Sequence, residues 1–277
     1  MNPAIRQPAV AGRFYPADPS ELRSEVLTFT TASMEPQIHT GARIRALGCV
    51  VPHAGYVYSG GVAGAVYRQL ELPSRYIILC PNHTGHGEPL AIMSEGAWRT
   101  PLGDVPVDQE LAHDLKHRFP LLSEDSAAHR FEHALEVQLP FLQVLHREFR
   151  FVPITVGTGQ FEVLSALGVS IAAAIREAGE QVLVIASSDM NHYESDSVTR
   201  VKDHRAIDQI LALNPRGLFD VVRESHISMC GYGPTVAMLT AATKLGATQA
   251  ELIRYATSGD VSGDREMVVG YAGIAVY

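Results

Sequence analysis

Gln181-Val-Leu-Val-Ile-Ala-Ser-Ser-Asp-Met-Asn-His192 sets an uninterrupted apolar run directly against a polar cluster. A strand covered on both faces reads as such a run, because neither face meets water, whereas a half-exposed strand alternates. Gln181–Ser187 is therefore expected to be a central strand. Ile44–Val51, Tyr76–Cys80, Pro89–Met93, Phe151–Val156, Glu251–Thr257 and Met267–Val276 complete the predicted set. Helix-length segments fall between them: Pro19–Thr31, Ser59–Leu70, Asp108–Phe119, His133–Arg147, Phe161–Glu177, Thr199–Leu211, Arg216–Glu224 and Pro234–Leu245. Pro234 suits a first helical position, where the missing N–H costs no hydrogen bond. Strand–helix alternation implies right-handed crossovers and a three-layer α/β fold, with a mostly parallel central sheet and helices on both faces. No repeat or Gly/Ser-rich linker divides residues 1–277, so the chain reads as a single domain.

Composition narrows the function. With 46% apolar and 19% charged residues the chain is ordinary globular protein, which excludes a disordered or collagen-like one. A formal charge of −8 argues against nucleic acid as the main partner, since phosphate binding needs a basic face. The sequence lacks an apolar stretch of membrane-spanning length, and its N-terminus lacks an apolar run behind a basic segment. Neither a membrane span nor a secretory signal is expected. Cys49 and Cys80 lie in apolar runs and read as buried thiols of a protein in the reducing cytoplasm.

Twelve histidines against three cysteines direct attention to metal or acid–base chemistry. In an open α/β sheet, ligands collect beyond the carboxyl ends of the strands. Three predicted strands end in a polar cluster carrying a histidine: Val51-Pro-His53-Ala-Gly-Tyr56, Pro81-Asn-His83-Thr-Gly85 and Ser187-Ser-Asp189-Met-Asn-His192-Tyr193. His53, His83 and His192 are thus placed to converge. Asp189 either caps its turn or faces the same pocket as His192. Cys230 stands just before a predicted helix, whose N-terminus lowers a thiol pKa; the alternative is a small buried hydrophobe. His133 and Glu136, one helical turn apart, read as a surface pair on a capped helix or as an acid–base pair. His39, His113, His117, His146 and His204 are read as ordinary. Phosphate-loop, dinucleotide, paired CxxC, HExxH and GxSxG motifs are absent from the sequence. Ser188, Asp189 and His192 are too crowded in one turn to form a hydrolytic triad.

Seven segments, taken in order, resemble the Memo family, whose prokaryotic branch is the AmmeMemoRadiSam system protein B. They are Ala11-Gly-Arg-Phe-Tyr-Pro16, Pro52-His-Ala-Gly-Tyr56, Pro81-Asn-His83, Thr100-Pro-Leu-Gly-Asp104, Glu132-His-Ala-Leu-Glu136 with Gln138-Leu-Pro140, Ser187-Ser-Asp-Met-Asn-His192 and Cys230-Gly-Tyr-Gly-Pro234. The resemblance runs from Pro8 to Tyr277. It implies a LigB-like domain similar to class III extradiol dioxygenases, which open catechol rings with non-haem Fe(II). It also implies a pocket lined by His53, His83 and Cys230 as metal ligands, with Asp189 and His192 beside them. The dioxygenases use two histidines and a carboxylate; here a thiol stands in the carboxylate's place and makes the site softer and more easily oxidised.

Three functional readings follow. The first is a mononuclear metal site, with Fe(II) as the expected ion and Cu or Zn as the other candidates. Asp189, His192 and His133 serve it as acid–base groups. The second is an adaptor that keeps the scaffold and binds a small-molecule or peptide ligand, with Arg13, Tyr15, Tyr56 and Glu136 lining the pocket. The third is a metal-free cysteine enzyme with Cys230 as nucleophile. Through the resemblance, radical-SAM and AMMECR-type proteins are expected as functional partners.

Overall fold

The computed structural model describes residues 4–31, 43–146 and 148–277. His39 and Arg147, both named above, lie outside the described residues. The strands are β1 (Ile5–Arg6), β2 (Gly48–Val51), β3 (Arg75–Pro81), β4 (Leu90–Ile92), β5 (Ala97–Thr100), β6 (Gly103–Pro106), β7 (Ser123–Glu124), β8 (Arg150–Val156), β9 (Val182–Ser187), β10 (His192–Glu194), β11 (Ala250–Thr257) and β12 (Val268–Val276). The helices are α1 (Pro19–Thr31), α2 (Tyr56–Gln69), α3 (Gln109–Arg118), α4 (Ala127–Arg130), α5 (Leu139–Leu145), α6 (Phe161–Ala178), α7 (Asp196–Leu211), α8 (Pro215–Glu224), α9 (Tyr232–Leu245) and α10 (Gly259–Ser262).

The four central strands run parallel in the order β2, β9, β3, β8, and all but Arg150 at the start of β8 are buried along their length. This is the setting that the continuous apolar runs require. Both flanks are antiparallel: β12 pairs with β2 and in turn with β10 and β11, while β4 pairs with β8. β7 extends the far edge parallel to β4. Helices cover both faces. A Cβ on Gly48 would come within 2.4 Å of Met238 on α9, and one on Gly273 within 2.4 Å of Val66 on α2. Both glycines thus let a helix approach the sheet closely, from opposite sides. The result is a single α/β domain with a mixed sheet between helical layers.

All seven predicted strands are present, with shifted ends. Ile44 makes only an isolated bridge to Leu70, and β2 begins at Gly48. The expected helix His133–Arg147 is replaced by a 3₁₀ turn at Glu136–Gln138 leading into α5. Pro140 is the physical reason: its ring lacks an N–H and clashes with the carbonyl one turn earlier, so a helix cannot run through it unbroken. α9 starts at Tyr232, which makes Pro234 its third residue; that is still within the first turn, where no N–H has an intrahelical acceptor. Among the described residues, no helix is long and apolar enough to cross a membrane.

A second, three-stranded sheet in the order β1, β5, β6 anchors the N-terminal segment. Arg6 is paired in register with Trp98, and its guanidinium lies 4.3 Å from the Trp98 ring centre. Beside this pair His129 is fully buried and neither ring nitrogen has a hydrogen-bond partner. Burial, then the charge of Arg6, pushes its pKa down to about 4. The unfolded chain takes up this proton near pH 6.5 and the native chain does not, so stability falls as pH drops from about 6.5 towards 4, by about 3 kcal/mol at full extent. His129→Phe is expected to flatten that acid limb when urea midpoints are compared over this range. Equal slopes in the two proteins would contradict this account of His129, since groups common to both cancel.

Candidate metal site

The register of the parallel strands puts the three polar clusters on one edge. Val51 lies opposite Ser187 and Leu79 opposite Ala186, so the chain leaves β2, β9 and β3 at the same level. The N–H of Ser188 donates to Val51 O at 2.9 Å, and that of His53 donates to Asp189 Oδ1 at 2.7 Å. Asp189 is therefore a buried brace for the backbone of His53, and burial raises its pKa.

His53, His83 and His133 each bring a ring nitrogen within 4.8 Å of the other two, a group that could hold a metal ion. His53 is buried, while His83 reaches solvent. The His53 ring stands at 81° to His83 and 86° to His133, whereas His83 and His133 are stacked at 21° with centres 4.8 Å apart. Burial, then the charge of His83, holds the His53 pKa well below its ordinary value. Burial and His53 bring that of His133 down to about 4.

The carboxylate that serves this group is Glu132, to which the sequence reading gave no role. It is fully buried. Its Oε2 accepts from the His83 N–H at 2.7 Å; its Oε1 accepts from His83 Nδ1 at 3.0 Å and from the Ala134 N–H at 2.8 Å. His133 Nδ1 lies 3.4 Å from the same oxygen. A carboxylate accepting from Nδ1 fixes the tautomer and leaves the Nε2 lone pair free, the arrangement found behind metal-bound histidines. Burial raises the Glu132 pKa, but the His83 hydrogen bond and charge outweigh it and bring the group down to about 2.

Cys230 Sγ lies 3.2 Å from His53 Nε2. Burial and the charge of Asp189 push the Cys230 thiol pKa up, against the lowering expected at a helix N-terminus. Desolvation outweighs the few N–H groups facing the sulfur. A Cβ on Gly231 would meet Ser187 O at 2.5 Å, so only glycine lets the Cys230 segment pass so close to the end of β9. His192 donates from Nδ1 to Ser228 O at 2.9 Å, and its backbone N–H donates to Ser228 Oγ at 2.7 Å. Among the described residues it is not one of the three histidines whose ring nitrogens come together.

Three residues expected to line the pocket are placed elsewhere. Glu136 is fully buried, pairs with Arg6, and accepts from the N–H groups of Ala9 at 2.7 Å and Val10 at 3.1 Å and from the Tyr15 hydroxyl at 2.5 Å. Tyr15 is thereby committed, and the buried Tyr56 donates to Val137 O at 2.7 Å. These groups are internal and hold the N-terminal segment against residues 136–138. Glu136 is accordingly no acid–base partner of His133. Arg13 is exposed, beside Phe14, whose ring meets His133 edge-on at 4.8 Å.

The profile of the Memo-like protein family matches residues 6–275. A MEMO1 family protein of Methanothermobacter thermautotrophicus is 44% identical over 273 residues, covering 97% of this chain and 99% of that protein. One from Methanosarcina barkeri is 45% identical over 276 residues, covering 98% and 100%. A crystal structure of an uncharacterised Escherichia coli K12 protein is similar with a TM-score of 0.54 at 13% identity, covering 83% of this chain and all of the other; it supports the fold alone. With His53 and His83 gathered at one site and its sequence matched almost from end to end, this chain belongs to the Memo family.

Proposed function

We propose that the chain carries a mononuclear, non-haem metal centre held by His53, His83 and Cys230 and performs dioxygenase-like chemistry on a small aromatic or peptide ligand. The observation that carries this reading is the 3.2 Å approach of Cys230 Sγ to His53 Nε2, with a ring nitrogen of His83 within 4.8 Å of one of His53. Two donors sharing one tetrahedral ion stand about 3.5 Å apart, given metal–sulfur and metal–nitrogen bonds of about 2.3 and 2.0 Å. The Cys230–His53 pair fits a metal on this test.

Ring orientation separates the histidines. His83 and His133 lie stacked at 21°, and of the two His83 would hold the ion with His53 and Cys230. His53 stands nearly perpendicular to both. Of the stacked pair, His83 is hydrogen-bonded to Glu132 Oε1 at 3.0 Å, whereas His133 Nδ1 only stands 3.4 Å from that oxygen. His133 is left as the neighbouring proton acceptor, neutral near pH 7 with its pKa at about 4. Asp189 holds His53 in place, and His192 presents Nε2 with its Nδ1 proton tied to Ser228.

Iron, the ion the family resemblance favours, supplies when bound the redox and Lewis-acid chemistry that these side chains lack. The exposed Arg13 is placed to meet an anionic part of the ligand. Free Cys49, Cys80 and Cys230 suit a reducing cytoplasm, and radical-SAM and AMMECR-type proteins are the proposed functional partners.

Metal analysis of untagged protein purified without chelators tests the centre. Stoichiometric metal is expected, and the double variant His53→Ala, His83→Ala is expected to lose it while remaining folded. Metal-free wild-type protein that also takes up no added Fe(II), Cu(II) or Zn(II) overturns the reading. Ring-opened absorbance from catechols, oxygen and anaerobically Fe(II)-loaded protein tests the reaction class separately.

A further inference from the structure

The geometry points to Ser187 as a positioning residue that sets the proton on His53, with Gln138 and Tyr67 setting Ser187 in turn. The chain of donors leaves little choice. Tyr67 donates its hydroxyl proton to Gln138 Oε1 at 2.8 Å, which turns the amide so that Nε2 faces the other way. There Nε2 donates to Pro52 O at 3.0 Å, an atom that can only accept, and to Ser187 Oγ at 2.8 Å. Ser187 has one proton, and it goes to Ala134 O at 2.6 Å. What Ser187 offers His53 Nδ1, 3.0 Å away, is therefore a lone pair. A lone pair accepts only from an N–H, so Nδ1 carries the hydrogen and Nε2 is left bare, facing Cys230 Sγ.

All four groups are buried, so water does not compete for these bonds. A hydroxyl held in this way does for His53 what the carboxylate of Glu132 does for His83, but without adding charge. Two histidines thus present Nε2 by two unrelated devices, one neutral and one anionic. The tautomer follows from the hydrogen bonds alone; its use, to keep a ligand lone pair open, rests on the metal reading above.

Two-bond proton–nitrogen correlation spectra of ¹⁵N-histidine-labelled, metal-free protein at neutral pH report the tautomer directly, with His53→Gln identifying the His53 signals. The Nδ1–H form is expected in the wild type. In Ser187→Ala the partner of Nδ1 is gone, so the Nε2–H form is expected to appear. Zinc affinity, measured in competition with a chromophoric chelator, is expected to fall by about 10–100-fold. A wild-type His53 in the Nε2–H form overturns the proposal, as does a Ser187→Ala protein with unchanged tautomer and unchanged zinc affinity. If Ser187→Ala does not fold, the wild-type spectrum still decides. Nδ1–H at His53 in a wild-type protein that binds no metal upholds the relay and refutes the metal centre, so the two failures are distinct.

Discussion

Glu136→Ala is expected to lower the unfolding free energy by about 3–5 kcal/mol, the cost of removing one partner of a buried ion pair. The variant leaves the buried Arg6 guanidinium against the Trp98 ring and the carbonyls of His129 at 3.1 Å and Glu132 at 2.6 Å, with no carboxylate partner among the described residues. It also strands the N–H groups of Ala9 and Val10 and the hydroxyl of Tyr15, each a buried or partly buried donor that costs energy when unpaired. A fall in the urea midpoint without a matching direct effect on ligand binding is the expected pattern. A variant of wild-type stability with impaired ligand binding would return Glu136 to the pocket. The comparison is pointed because Glu136 belongs to the same Glu132-His-Ala-Leu-Glu136 motif as the residue that does serve the histidines.

That residue carries the second large effect. Glu132→Gln replaces one of two accepting oxygens with an NH₂ group, so either the backbone N–H or the Nδ1–H of His83 loses its acceptor. Metal affinity is expected to fall by about 10–100-fold, as for other partners standing behind a ligand. The metal-free protein has a pH signature as well. For His83, burial lowers the pKa but Glu132 raises it more, so the net shift is upward. Its stabilisation is complete below the unfolded histidine value near 6.5 and disappears as pH rises through the folded pKa. Glu132, drawn down to about 2, stabilises above the unfolded carboxylate value of about 4.5 and loses this as pH falls to about 2. The stability gap between wild type and Glu132→Gln should therefore be widest between about pH 4.5 and 6.5. Urea midpoints across pH 3 to 9 measure it, and a gap that does not vary with pH would show that the pair is not ionised as described.

Periodicity and apolar runs sufficed for the main elements, because these depend on which local positions meet water. α1 begins as expected at Pro19, and β9 starts one residue late at Val182. The strands overlooked, β1, β5, β6, β7 and β10, have two to four residues each, too few to show a period. The placing of His53, His83 and His192 was legible for a related reason: a side chain just past a strand end is located by where the apolar run stops, a local property.

What faces the site from elsewhere was not local. Glu132 and Glu136 are four residues apart and of one chemical type, yet one holds His83 and stands beside His133 while the other holds Arg6, 130 residues away. The side each carboxylate takes depends on the path of residues 131–135 between α4 and the 3₁₀ turn, which is irregular and has no helical period to read. The Cys230 thiol shows the same division. Its position before a helix was visible in sequence, but its protonation follows from burial and from Asp189, which only the folded chain brings to it. Sequence alone thus determined the layers, the central strands and the histidines at their ends, since all of these follow from short-range contrast between apolar and polar residues. Tertiary structure decided which buried acid, hydroxyl or thiol serves each histidine, because desolvation and hydrogen-bond partners are properties of segments that meet only after folding.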